Sequence, residues 1–257
     1  MMTDKLKALY EEQENKIREG IKQLREKDHM IIKQSRQAAM GEMIGNIAHQ
    51  WRQPLNSIGV IIQNIEDAYE FNELTKDYLN EKVATVMNQL NYMSHTIDDF
   101  RNFFKPDKEK QDFQVFDALK SAVNFMEANF VHNNISVEYQ LITDTTIWGY
   151  PNEYAQVLLN ILNNARDILI ERKIANPTIF ITAEKTDSHS IVKISDNGGG
   201  IDPDIIHKLF DPYFTTKTVG TGLGLYMSKM IVEKNMDGKL WVRNTTGGAE
   251  FIIEVKH

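Results

Sequence analysis

The 257 residues are 42% hydrophobic and include no cysteine, which excludes a disulfide framework, a thiolate metal site and a cysteine nucleophile. A formal charge of −7 gives no basic field for a phosphate backbone, so no nucleic-acid partner is expected. No apolar run approaches the roughly 20 residues of a spanning helix, and the Lys- and Glu-rich start lacks the apolar core of a signal peptide.

The chain opens on a charged segment in which Tyr10, Ile17, Leu24, Ile31 and Ala38 recur every seven residues. The companion positions Glu14, Ile21, Asp28 and Ser35 are mostly polar, so residues 1–40 are predicted to form a signal-transmitting lead-in helix with weak coiled-coil character. From Ile44 a 4,3 alternation runs through Ala48, Trp51, Leu55, Ile58, Ile62, Ile65 and Tyr69. A second runs through Leu79, Val83, Val86, Leu90, Met93, Ile97, Phe100 and Phe104. Residues 41–104 therefore read as a helical hairpin, and its apolar stripes are best buried by pairing two hairpins into a four-helix bundle, a homodimer. His49 lies beside this seam, at the expected edge of the bundle and open to solvent, and Pro54 is expected to bend the helix next to it. Neutral imidazole is a good nucleophile near pH 7 and can accept a phosphoryl group.

Residues 105–112, KPDKEKQD, read as a linker. Residues 113–257 then alternate helical patterns at 117–131, 152–171 and 221–235 with strand-like runs ISVEYQL, TIFITAE, SIVKISD, KLWVRNT and AEFIIEV. An α+β sandwich is predicted, a sheet covered by helices. Nine of the fourteen glycines fall between Gly198 and Gly248, which marks the strand-to-loop junctions there as the ligand site.

Within QVLLNILNNARD, Val157, Leu158, Ile161, Leu162, Ala165, Ile168 and Leu169 form one helix face, and Asn160, Asn163, Asn164 and Asp167 another. Asn160 and Asn164 are one turn apart, so their amide oxygens can converge as neutral ligands for a Mg²⁺ carried by phosphates, whereas Asp167 reads as solvated. SIVKISDNGGGI ends a strand on Asp196, a carboxylate able to accept from an exocyclic amine, and runs through Gly198 and Gly200. In LFDPYFTTKTVGTGLGLYMSK, Gly220, Gly222 and Gly224 open a helical pattern whose free N–H groups suit phosphate; Thr215 and Thr216 add hydroxyls and Lys217 a charge. The spacing fits neither a Walker lysine loop nor a dinucleotide fingerprint.

HQWRQPLNSI resembles the phosphoacceptor box of sensor histidine kinases, NEYAQVLLNILNNARDIL their N-box, DNGGGI their first glycine box, and LFDPYFTTK and GTGLGL their F-box and second glycine box. The motifs stand in the family's order between residues 42 and 230. The resemblance implies a dimerising phosphoacceptor hairpin, then an ATP-binding domain of the Bergerat (GHKL) type at 113–257. It implies autophosphorylation of His49 from Mg²⁺-ATP and transfer to the receiver domain of a response regulator. Carried over by position, it implies a magnesium contact at Asn160, phosphate or magnesium contacts near Asn164, and adenine recognition by Asp196. Asn163, Gly198, Gly200, Thr215, Thr216, Lys217, Gly220, Gly222, Leu223 and Gly224 complete the nucleotide site, with an ATP lid from about Ile201 to Gly222. A cytoplasmic location is implied, with membrane contact only through a segment upstream of Met1.

Two departures bear on mechanism. Gln50 follows the histidine where the family commonly has an acid, so it can orient the imidazole but not take its proton, and either slower autophosphorylation or a different proton acceptor is expected. Gln53 stands where many relatives carry a threonine or asparagine thought to position water for dephosphorylating the partner. An ATPase or chaperone of the same superfamily, and a nucleotide-binding dimeric scaffold, are the alternatives at this point.

Overall fold

A computed structural model describes residues 2–103, 105, 109–217 and 222–257. Gly220 lies outside these residues, and so do the side chains of His49 and Gln50, whose backbone belongs to the first helix.

The lead-in segment and the first arm of the hairpin are one helix, α1 (Met2–Glu70), which runs through Pro54 without interruption. The second arm is α2 (Lys76–Phe103), its N-terminus closed by Tyr78 N–H donating to Thr75 Oγ1 at 3.2 Å. The predicted apolar seam divides in two. Trp51, Ile58, Ile61 and Ile65 of α1 and Val86, Gln89 and Met93 of α2 are turned inward within the hairpin, and Gln89 Nε2 donates to Ser57 Oγ at 2.8 Å. Leu55, Ile62 and Tyr69 of α1 and Leu79, Val83, Leu90 and Ile97 of α2 are exposed. A strict 4,3 repeat lays its two series on adjacent flanks of each helix, so one series closes the hairpin and the other faces out.

Beyond the linker come β1 (Gln111–Gln114), α3 (Val115–His132), β2 (Ser136–Ile142), β3 (Thr146–Gly149), α4 (Pro151–Glu171), β4 (Thr178–Lys185), β5 (His189–Asp196), the short α5 (Pro203–Ile206), α6 (Gly224–Met230), β6 (Lys239–Asn244) and β7 (Ala249–Lys256). The main sheet has the order β2-β4-β5-β7-β6, with β2 and β4 parallel and the other neighbours antiparallel. Strands β1 and β3 form a separate antiparallel pair, so Gln111 and Asp112, read from composition as linker, are already strand. Helix α6 begins at Gly224, later than expected, and continues as a π-helical turn, Ile231–Asn235.

Period-two alternation buries Ile179, Ile181 and Ala183 of β4, Val192 and Ile194 of β5, and Phe251, Ile253 and Val255 of β7 in one core. The same core takes Leu119 and Met126 of α3, Leu158, Ile161, Leu162 and Leu169 of α4, and Met227 of α6. Helices thus cover one face of the sheet, as predicted. Ile31 and Met40 of α1 pack against the edge of this core.

Leu158 has no exposed surface, so Leu158→Ala is expected to destabilise the sheet domain by about 2–5 kcal/mol in urea unfolding followed by tryptophan fluorescence.

Candidate nucleotide site

The site is assembled on the polar face of α4. Pro151 at the helix start suits the first turn, where no N–H partner is needed, and the apolar face fixes the helix on the sheet. Asn160, Asn163, Asn164 and Asp167 then lie together as a half-buried stripe, as their spacing predicts.

The two predicted amide oxygens nevertheless have different fates. Asn160 Nδ2 donates to Gly224 O and to Ser228 Oγ, both at 3.2 Å, which ties the amide to the start of α6. Asn164 Oδ1 instead accepts from Lys217 Nζ at 2.9 Å, so it does not converge with Asn160 as a free ligand. Asp167 is not merely solvated: Oδ2 accepts from Lys217 Nζ at 2.5 Å, and Oδ1 from Arg166 Nε at 2.8 Å and Nη2 at 2.5 Å. Asn163 Oδ1 is buried with no hydrogen-bond partner among the described residues.

Asp196 closes β5 and is 6% exposed. Its Oδ1 accepts from Gly198 N–H at 2.8 Å and Ala249 N–H at 3.5 Å, which leaves Oδ2 for a ligand. Burial pushes the carboxyl up from its ordinary value, against the opposing pull of the two backbone N–H groups and the Arg172 guanidinium. The close approach has its own requirement at Gly248, where a Cβ would collide with the Asp196 backbone carbonyl. Arg172 Nη1, at the C-terminus of α4, donates to Gly198 O at 2.5 Å and Gly200 O at 2.9 Å and ties the glycine turn to the helix. Asn244 grips Ile201 from the other side, accepting from its N–H at 2.8 Å and donating to its carbonyl at 2.7 Å. Neither Arg172 nor Asn244 was legible in the sequence, where one is a helix-end arginine and the other a polar residue closing a strand.

The segment after α5 reaches α4 through Lys217. Gly222 has φ of +65°, and a Cβ there would strike the backbone of Tyr213 and Phe214, so only glycine lets the two ends of the segment touch. Lys217 N–H donates to Thr215 Oγ1 at 3.1 Å; Thr215 and Thr216 are exposed. Lys229 of α6 stands 5.0 Å over the Phe210 ring. Leu223 is buried immediately before α6, and Gly224 opposes Asn160 across the start of that helix. Gln53 is exposed on α1.

This arrangement fits a nucleotide. Asp196 Oδ2 offers an acceptor to an exocyclic amine, and the amide oxygen of Asn160 is a hard neutral donor on the polar face of α4. The fold and site thus define a GHKL-type ATP-binding domain attached to a helical hairpin.

The comparisons agree in both parts. Residues 149–257 match the family of histidine kinase-, DNA gyrase B- and HSP90-like ATPases, and residues 39–109 match the His kinase A phosphoacceptor domain. The catalytic domain of the histidine kinase ThkA is 31% identical, with a TM-score of 0.52 over 58% of this chain and 95% of that one. The two-component sensor PprA of Pseudomonas aeruginosa is 28% identical over 90% of this chain and 26% of its own length. The signal transduction histidine-protein kinase AtoS of Escherichia coli is 29% identical over 89% and 37%. The chain belongs to the sensor histidine kinases of two-component systems, and it spans about a quarter to two fifths of the length of these curated relatives. Among the described residues no helix is long and apolar enough to cross a membrane.

Because the folded-state pKa of Asp196 is raised, its charge opposes folding once the pH exceeds the carboxyl's ordinary range. Asp196→Asn keeps an acceptor for Gly198 and Ala249 and removes the charge. The variant should melt higher than wild type at pH 7, and the gap should close as the pH falls to about 4, measured by calorimetry.

Proposed function

We propose that the chain is the catalytic core of a sensor kinase that takes the γ-phosphoryl group of ATP onto His49 and passes it to an aspartate of a response-regulator receiver domain. The observation that carries this reading is the asparagine stripe of α4, whose end is tied through Arg172 to the glycine turn that Asp196 also holds, on a chain whose hairpin carries the histidine. In this reading residues 1–40 transmit the signal, 41–104 dimerise and accept the phosphoryl group, and the catalytic domain starts with β1 at Gln111. A cytoplasmic site of action follows from the need for ATP and a receiver domain.

Asp196 would hold the adenine amine, and Asn160 would offer its amide oxygen to the metal. When bound, Mg²⁺ would neutralise charge on the phosphates, and Lys217 and the N–H groups of Gly222 and Gly224, with Gly220 of the same sequence run, would complement the rest. One neutral ring nitrogen of His49 attacks the γ-phosphorus, its bond forming as the bond to the ADP oxygen breaks. The proton on the other ring nitrogen must then leave. Gln50 can hold the imidazole tautomer but cannot take that proton, so it passes to another base or water. His49 reaches the nucleotide only if the hairpin and ATP-binding domain change their relation about the linker, the step on which a signal acts. Gln53, exposed one turn beyond His49, is available to the receiver domain.

The outward stripe of Leu55, Ile62, Tyr69, Val83, Leu90 and Ile97 supports a homodimer, because these large apolar residues at heptad spacing are exposed in the single hairpin. Leu90→Lys is expected to halve the mass measured by light scattering.

Incubation with γ-labelled ATP and Mg²⁺ tests the central claim: wild type should acquire label that is acid-labile and base-stable, and His49→Ala none. Label that survives in His49→Ala sinks the assignment. Gln50→Glu, which restores a base beside the imidazole, should speed labelling by roughly tenfold or more.

A further inference from the structure

We infer that Asp167 is a positioning residue of the nucleotide site, docking the ammonium of Lys217 on α4 so that this cation stands beside the phosphates before nucleotide arrives. The inference rests on the nucleotide reading of the pocket and adds a role for a carboxylate that makes no direct contact with metal or base.

Lys217 belongs to the segment between α5 and α6, yet its Nζ is fixed on α4 by Asp167 Oδ2 at 2.5 Å and Asn164 Oδ1 at 2.9 Å. The second oxygen of Asp167 is occupied by Arg166, whose guanidinium reaches it through Nε and Nη2. Both carboxylate oxygens therefore have a cation, so Asp167 is not left to act as a metal ligand or proton acceptor. Arg166 is 8% exposed, which makes the Arg166 to Asp167 pair a built part of α4 rather than a surface coincidence. On its own segment Lys217 is tied by its N–H to Thr215 Oγ1. An ammonium has three donors, and Asp167 and Asn164 use two. The third is left for an incoming phosphate oxygen. The triplet of Arg166, Asp167 and Lys217 keeps a single net positive charge, so docking costs the site one unit of positive charge and gives Lys217 a fixed place in return.

That trade makes the inference testable by sign. If net charge alone mattered, Asp167→Asn would bind polyphosphate more tightly. If docking matters, Asp167→Asn should bind a non-hydrolysable ATP analogue with Mg²⁺ roughly tenfold more weakly by titration calorimetry. Lys217→Gln should lose a similar factor, the double variant should lose no more than either, and Asp167→Glu should recover most of the affinity. Tighter or unchanged binding by Asp167→Asn overturns the inference. A second readout needs no nucleotide: trypsin should cleave after Lys217 faster in Asp167→Asn than in wild type, and an equal rate overturns the docking. Wild type that fails to bind the analogue would refute the nucleotide reading instead, while the trypsin comparison still decides whether Asp167 holds Lys217. Asp167 is about a quarter exposed, so these substitutions are expected to leave the fold intact, as equal melting temperatures would show.

Discussion

The asparagine stripe of the candidate site takes its position from the apolar face of α4. Leu158, Ile161, Leu162 and Leu169 are buried against Ile179, Ile181, Val192 and Ile194 of the sheet, so the helix can neither roll nor slide without exposing them. At about 1.5–3 kcal/mol for each large side chain removed from water, that registration outweighs the roughly 1–3 kcal/mol lost by leaving a buried amide oxygen such as that of Asn163 unpaired. The pocket can hold a polar group in waiting because the other side of the same helix makes relaxation more costly than the vacancy. Arg172 extends the constraint to the glycine turn, and through it to Asp196.

The charges near the pocket are mostly committed. Arg172 is spent on the carbonyls of Gly198 and Gly200, and Arg166 on Asp167. In a chain of net charge −7, little general attraction for a polyphosphate remains. In the proposed function, recognition therefore comes from directed groups: backbone donors at Gly222 and Gly224, an amide oxygen on α4, and one ammonium held in place. This is the regime in which a misplaced donor is worse than a missing charge, since the gain from preorganised dipoles depends on geometry already being set.

Much of this was legible in the sequence because periodicity reports which residues share a face. The asparagine stripe, the strand ending on Asp196 and the strands of the main sheet follow from spacing alone. The losses have physical causes. Strands β1 and β3 are too short for alternation to show, so Gln111 and Asp112 read as linker. Spacing places Asn160 and Asn164 on one face but does not say which amide end a neighbour will claim, and Ser228 and Lys217, distant in sequence, decide that. Asp167 looks solvated because its partner Lys217 is 50 residues away. Arg172 and Asn244 act on backbone carbonyls and amides, which have no side-chain signature to read.

The hairpin shows the same limit in a form that bears on signalling. A 4,3 repeat cannot tell an intrachain contact from an interchain one, and here Ile58, Ile61 and Ile65 close the hairpin while Leu55, Ile62 and Tyr69 do not. The closed interface is also uneven along its length. Its lower part is aliphatic, whereas toward His49 it carries the Ser57 to Gln89 hydrogen bond, and Trp51 Nε1 and Gln89 Oε1 are buried there without partners among the described residues. Each such group costs about 1–3 kcal/mol, so rearranging the end next to the histidine forfeits less than rearranging the end next to the turn. A displacement carried down α1, which is continuous from Met2 to Glu70, would therefore be absorbed around Trp51 and Gln89 before it disturbed Ile61 and Ile65. His49 stands two residues from Trp51 on that continuous helix.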